Sequence, residues 1–293
     1  MKIRFGMSLG IGTGAEQLPA VVDRLEADGV DSLWFSELIY SPAVDPFAGI
    51  GYTLGRSTRL KVGTSVAVLP GRNPVLVAKQ LASLAVLGPK RVLPVFGLRP
   101  ASRAEWDLFP VPDGQRAAVF DEALTVVRAL LDGDEVRFTG RFFHLDNVSL
   151  DVRPPSRVDL WLGGSAPAAF RRIGRLADGW LGSFLTADEA RRARQSIERA
   201  AAETGRAIEP DHYGLSLAVG DGTLPVEALA AIRARRPDAD PAELVAADWP
   251  QLHRQLDGLI AAGLTKFVIR PVGNAGVEEF INRFVEELLP RQN

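Results

Sequence analysis

The run Leu160-Trp161-Leu162-Gly163-Gly164-Ser165-Ala166-Pro167-Ala168-Ala169 carries the clearest chemical signal in this 293-residue chain. An apolar run leaves through two glycines and passes straight into a helix with proline in its first turn. Glycine lets the backbone come close to a ligand, and the free N–H groups at a helix head attract a phosphate. The plainer reading is a strand-to-helix turn with Ser165 as its cap; spacing alone leaves both open. Glu37, closing Trp34-Phe35-Ser36-Glu37, is the second candidate. A carboxylate there can polarise a substrate or hold a cofactor edge, or merely cap a helix at the surface. Arg72 and Arg99 follow two further apolar runs and are placed to meet an anion, but among 29 arginines a solvated role is the default expectation. Trp106 and Phe109 are expected to anchor a long loop rather than wall a pocket, and His144 to pack or face water.

The inventory excludes much else. There is no cysteine, so disulfides, zinc ribbons, iron–sulfur clusters and cysteine nucleophiles fall away. The three histidines, His144, His212 and His253, are too scattered to suggest a ligand pair, and no metal site is expected. No carboxylate pair, Ser-His-Asp order or nucleophile elbow is present. A net charge of −2 gives no field toward nucleic acid or anionic membrane. No stretch of about 18 apolar residues exists, and the start has no signal-peptide pattern, so a cytoplasmic protein is expected.

These candidates need a scaffold. Apolar runs at 3–9, 32–35, 60–68, 91–96, 160–162, 179–181, 214–219 and 266–269 read as eight strands. Helical periodicity lies between them, at 15–28, 46–56, 74–87 and 115–131 and again from Pro167, Asp188 and Val277. Strand–helix alternation on this scale predicts a parallel sheet, and eight strands predict an α/β TIM (β/α)8 barrel with insertions, a doubly wound open sheet being the alternative. A single domain over 1–293 is expected, with insertions at about 98–114, 135–155 (a hairpin) and 220–251. Chemistry in a barrel sits where strands end. Those ends carry Ser8 and Gly10; Ser36 and Glu37; Thr64, Ser65 and Val66; Phe96, Gly97 and Arg99; Gly163 to Ser165; Gly182 and Ser183; Ser216; and Arg270. Glycines and hydroxyls with few proton-transfer groups suit a cofactor that brings its own reactivity.

The segments Asp31–Glu37, Gly63–Gln80 and Gly163–Ala166, with Arg175–Trp180, resemble in sequence and order the bacterial luciferase-like superfamily, and within it the deazaflavin-dependent oxidoreductases. The resemblance covers nearly the whole chain. It implies a barrel binding coenzyme F420, or alternatively FMN, across the strand ends. It further implies a non-prolyl cis peptide at Ser65–Val66 behind the ring, a phosphate loop at Gly163, Gly164, Ser165 and Ala166, and an acidic Glu37 beside the ring edge. Members are often dimers, so a homodimer is expected. Two positions depart from the pattern: Leu38 stands where many members have a catalytic histidine, and Pro100 lies near the place of a proton-donating glutamate.

The expected activity is transfer of a hydride between F420 and a small organic substrate. Glu37 is the candidate catalytic acid or orienting group. Glu37, Thr64, Ser65, Val66, Phe96, Gly97, Gly163, Gly164, Ser165 and Ala166 are the cofactor-binding candidates. An FMN-dependent monooxygenase with a partner reductase is the alternative, and a flavin- or deazaflavin-binding protein without turnover is the alternative outside enzymes.

Overall fold

The computed structural model describes residues 2–10, 12–273 and 276–293. The chain runs β1 (Arg4–Ser8), α1 (Leu18–Asp28), β2 (Ser32–Phe35), α2 (Pro46–Arg56), β3 (Lys61–Thr64), β4 (Ala67–Val68) and α3 (Pro74–Leu87). It continues with β5 (Val92–Leu93), β6 (Val95–Gly97), α4 (Arg116–Asp132), a hairpin of β7 (Val136–Thr139) and β8 (His144–Val148), then β9 (Trp161–Gly163) and α5 (Pro167–Leu176). Then follow β10 (Gly179–Ser183), α6 (Ala187–Ala202), β11 (Tyr213–Val219), α7 (Val226–Arg235), α8 (Pro241–Leu244), α9 (Trp249–Ala261), β12 (Lys266–Pro271) and α10 (Val277–Leu288). Local chemistry sets many of these boundaries. Asp45 and Asn73 cap α2 and α3 by accepting two backbone N–H groups each, ahead of a proline at the first helical position. Thr186 and Glu189 form a reciprocal capping box on α6.

Two of the expected strands are broken. The run 60–68 splits into β3 and β4 around a cis peptide at Ser65–Val66. The run 91–96 splits into β5 and β6 at Pro94, which has no N–H to give a neighbour. Thr64 bridges the gap: its hydroxyl donates to the Val95 carbonyl at 2.6 Å and accepts the Val95 N–H at 2.8 Å. Counted as staves, β3 with β4 and β5 with β6 are one each. All pairings in the ten-stranded sheet are parallel, in the order β4-β6-β9-β10-β11-β12-β1-β2-β3-β5. Because β4 pairs β6 and β3 pairs β5, both ends of that order belong to the same two neighbouring staves. The eight staves therefore close into a barrel.

Strand alternation sorts inside from outside. Trp34, Val95, Trp161, Leu181 and Val268, from five staves, form a buried layer within the barrel. Their chain neighbours Phe35, Phe96, Leu162 and Phe267 pack outward into the main core under the helices. The 98–114 segment holds a short 3₁₀ helix at Arg103–Leu108. In 220–251, α7 and α8 close a small apolar cluster of Ala218, Leu224, Ile232, Leu244 and Val245, and the segment already contains the start of α9. Among the described residues, no helix is long and apolar enough to cross a membrane.

Candidate functional site

Extending the alternation to the carboxyl ends of the staves identifies what lines the mouth. The inward positions are Ser8, Ser36, Val66, Gly97, Gly163, Ser183, Ser216 with Ala218, and Arg270. Val66 packs against the inner layer at the centre of this floor. A Cβ added to Gly97 would lie 2.5 Å from one Val66 methyl, and one added to Gly163 would lie 2.9 Å from the other. Only glycine at both positions leaves Val66 its place. The result is a flat apolar step bordered by two bare stretches of backbone.

The step is held from behind by the second stave. Ser65 N–H donates to the Phe35 carbonyl at 2.7 Å, and the Ser36 hydroxyl donates to the Ser65 carbonyl at 3.1 Å. Glu37 is 5% exposed, and both its carboxylate oxygens are engaged. One accepts the Val68 N–H at 2.7 Å, and the other pairs with the Arg72 guanidinium. Burial raises the Glu37 pKa above the ordinary carboxylate value, against the pull of the Val68 N–H and Arg72. The solvated role expected for Arg72 is thus corrected. Its guanidinium closes onto Glu37 and lies 5.5 Å from the ring centroids of both Phe47 and Phe109. Arg99 lies over Trp106, whose indole donates to the Pro100 carbonyl, so this aromatic anchors its own loop.

At the fifth stave, Gly163 to Ala166 form an open turn, with Gly164, Ser165 and Ala166 exposed. Gly164 has φ +123°, and a Cβ there would come within 2.9 Å of the Ala169 Cβ. The Trp180 indole supports the turn from below, donating to the Gly164 carbonyl at 2.9 Å. Ser165 is not the cap. Ala166 occupies the N-cap position of α5 and has no side-chain acceptor, so the head of this helix is left open. Outward from Ser165, a groove of about 490 Å³ runs between α5 and α6 past Phe170, Arg171, Arg192 and Arg199.

Two candidates do not reach the mouth. Phe96 is fully buried on the outer side of its stave, because it falls on the opposite parity from Val95 and Gly97. Thr64 is 1% exposed, with its hydroxyl engaged in the barrel wall. Ser65, Val66, Gly97, Gly163, Gly164, Ser165 and Ala166 gather around the mouth, with Glu37 directly beneath. Sequence reasoning did not single out Arg270 as a binding residue. The signal was the period-two series Lys266, Val268, Arg270 in an otherwise apolar strand. Among the described residues, no cluster of three or more His, Asp or Glu is placed to hold a metal ion.

The profile of the family described as luciferase-like monooxygenase matches residues 2–253. An uncharacterised protein of Mycobacterium tuberculosis is 35% identical over 161 residues, so the match spans 55% of this chain and about half of that relative, also 55%. An F420-dependent glucose-6-phosphate dehydrogenase of Beutenbergia cavernae is 27% identical, with 97% of each chain covered. An F420-dependent secondary alcohol dehydrogenase, solved with an F420–acetone adduct, superposes over 100% of both chains with a TM-score of 0.84 at 19% identity; that likeness is one of fold.

Proposed function

The chain belongs to the luciferase-like monooxygenase family, and from that premise we propose that it is an F420-dependent oxidoreductase acting on a small organic molecule. The observation that carries the reading is the flat Val66 step, bordered by Gly97 and Gly163, beside the open Gly163–Ala166 turn. A planar aromatic ring needs an apolar face to lie on and backbone groups at its edges. Its phosphate needs unpaired N–H groups at the distance of a side arm. The residues present fit both demands, and the groove beyond Ser165, where Arg171, Arg192 and Arg199 stand beside Glu189 and Glu203, offers cations to an anionic tail. When bound, F420 supplies hydride-transfer chemistry that no side chain of the mouth can perform. The protein's part is placement. Val66 supports the ring, Gly163 to Ala166 hold the phosphate, and Glu37 with Arg72 keeps the step in position as an orienting group. The F420-dependent glucose-6-phosphate dehydrogenases among the sequence relatives support this reading over the FMN alternative.

The test is titration of the protein with F420 and with FMN, followed by quenching of cofactor fluorescence. F420 is expected to bind at least tenfold more tightly than FMN. Gly164→Ala, which forces a side chain onto a φ of +123° and against Ala169, should weaken F420 binding at least tenfold. Tight FMN binding without F420 binding would overturn the proposal.

A further inference from the structure

Arg270 is the one charged residue among the inward positions of the mouth given above. Strand β12 points Lys266, Val268 and Arg270 into the barrel and Phe267 and Ile269 out of it. Lys266, at the far end, is answered by Asp31. Arg270, at the mouth, has no acidic or hydrogen-bonding side-chain partner among the described residues. This is unusual for a chain that pairs its cations widely, as the neighbouring Arg236 does with Glu189 and Asp238. Arg235, at the end of α7, also has no acidic partner among the described residues, and its guanidinium lies 4.5 Å from the centroid of the Phe184 ring, just past the end of β10. Phe184 and Val272, two residues beyond Arg270, pack on one apolar cluster, which brings the end of α7 to the end of β12; burial, and to a lesser degree the Arg235 charge, holds the Arg270 pKa below its ordinary value. Arg270 is half-buried without a counter-charge, a cost that an arriving anion would offset, while the exposed Arg235 supplies a second positive charge near the same end of the barrel.

We propose that Arg270 and Arg235 bind an oxyanion of the substrate, a carboxylate or a phosphate, at the mouth of the barrel. The inference rests on the oxidoreductase reading and gives it a substrate class. A guanidinium presents paired N–H donors at the spacing of two oxyanion oxygens, which fits this ligand better than a neutral alcohol. The anion is not the cofactor's phosphate. The open turn for that group ends β9, three staves away from β12 in the order β9-β10-β11-β12. Arg270 and Arg235 therefore face the side of the mouth left to the substrate.

The experiment titrates the F420-loaded protein calorimetrically with inorganic phosphate and with succinate as probes, alongside F420 titrations. At least one probe should bind saturably. Arg270→Gln should weaken that binding tenfold or more, Arg270→Lys should retain part of it, and the F420 affinity of both should stay within twofold. Arg235→Gln, a change at an exposed helix end, carries the same expectation and keeps the test decisive should Arg270→Gln misfold. Probe affinity unchanged in Arg270→Gln and Arg235→Gln, or no saturable binding of either probe to wild type, would overturn the proposal. A parallel loss of F420 affinity would overturn it too, by assigning the anion to the cofactor. Failure of wild type to bind F420 would refute the cofactor reading alone. The same probe titrations on cofactor-free protein then still decide the role of the two arginines.

Discussion

The Glu37–Arg72 pair beneath the Val66 step is the feature whose removal tests most of the reasoning. Glu37→Gln keeps the shape and the Val68 contact but leaves Arg72 without its counter-charge. Breaking a fully buried pair costs about 3–5 kcal/mol, and an exposed one about 0–1 kcal/mol. The Glu37 side chain is 1% exposed and that of Arg72 25%, so the guanidinium can recover part of its hydration. The expected loss is about 2–3 kcal/mol. Arg72→Met removes the cation and its contacts with Phe47 and Phe109, leaving a buried carboxylate. Burial already raises the Glu37 pKa above 4.5 with Arg72 present, and without Arg72 it should rise further. The native state then holds more protons than the unfolded chain between 4.5 and the raised value, so the stability of Arg72→Met should fall as pH rises through that window. Urea unfolding followed by tryptophan fluorescence would give both single changes and the double variant at unchanged m. A coupling energy of about 1.5–2 kcal/mol is expected, together with F420 binding weakened at least fivefold in Glu37→Gln. Coupling below about 0.5 kcal/mol with normal F420 affinity would refute the view that this carboxylate holds the step.

Two further outcomes follow from the geometry. Gly97→Ala drives a methyl to 2.5 Å from a Val66 methyl. It should cost about 1–3 kcal/mol by overpacking and weaken F420 binding at least tenfold, and Val66→Ala in the same chain should restore most of the stability. If stability does not recover, the pressure falls elsewhere. At the opposite end of the barrel, Asp31 is buried among Lys266, Lys61 and Arg4, and the lysines outweigh the effect of burial to hold its pKa at about 2. That depressed value contributes stability present above pH 4 and lost as pH falls toward 2, on the order of 2 kcal/mol. Asp31→Asn should therefore be less stable than wild type at pH 7, with the difference shrinking by pH 2.5 in urea titrations; a difference independent of pH would refute the assignment.

The barrel was legible because parallel strands covered on both faces leave near-continuous apolar runs, and helical periodicity separates them. The breaks within those runs were not. Composition reads 60–68 and 91–96 as unbroken, while Pro94 and the bond between Ser65 and Val66 interrupt two adjacent staves, and Thr64 serves as the bridge across one interruption. Position near a strand end also proved a poor guide by itself. Phe96 and Gly97 are adjacent, yet alternation sends one into the outer core and leaves the other beside Val66. The Arg72–Glu37 pair spans 35 residues, and no local pattern selects one arginine of 29 for it.

Arg270 shows where a stricter reading of the same sequence would have gone further. Once β12 is accepted as a barrel stave, Val268 inside requires Lys266 and Arg270 inside as well, one at each end. A lysine at the closed end finds Asp31. An arginine at the open end has no acidic or hydrogen-bonding side-chain partner among the described residues. The other inward positions of the mouth are Ser8, Ser36, Val66, Gly97, Gly163, Ser183, Ser216 and Ala218, all small or apolar and without charge at neutral pH. A floor of that kind transfers no protons well and positions flat ligands well. The scarcity of acid–base groups and the presence of one inward cation without a partner among the described residues are thus two sides of one proposed arrangement: a bound ring supplies reactivity, and the protein contributes a surface for the ring and a charge to hold whatever lies against it.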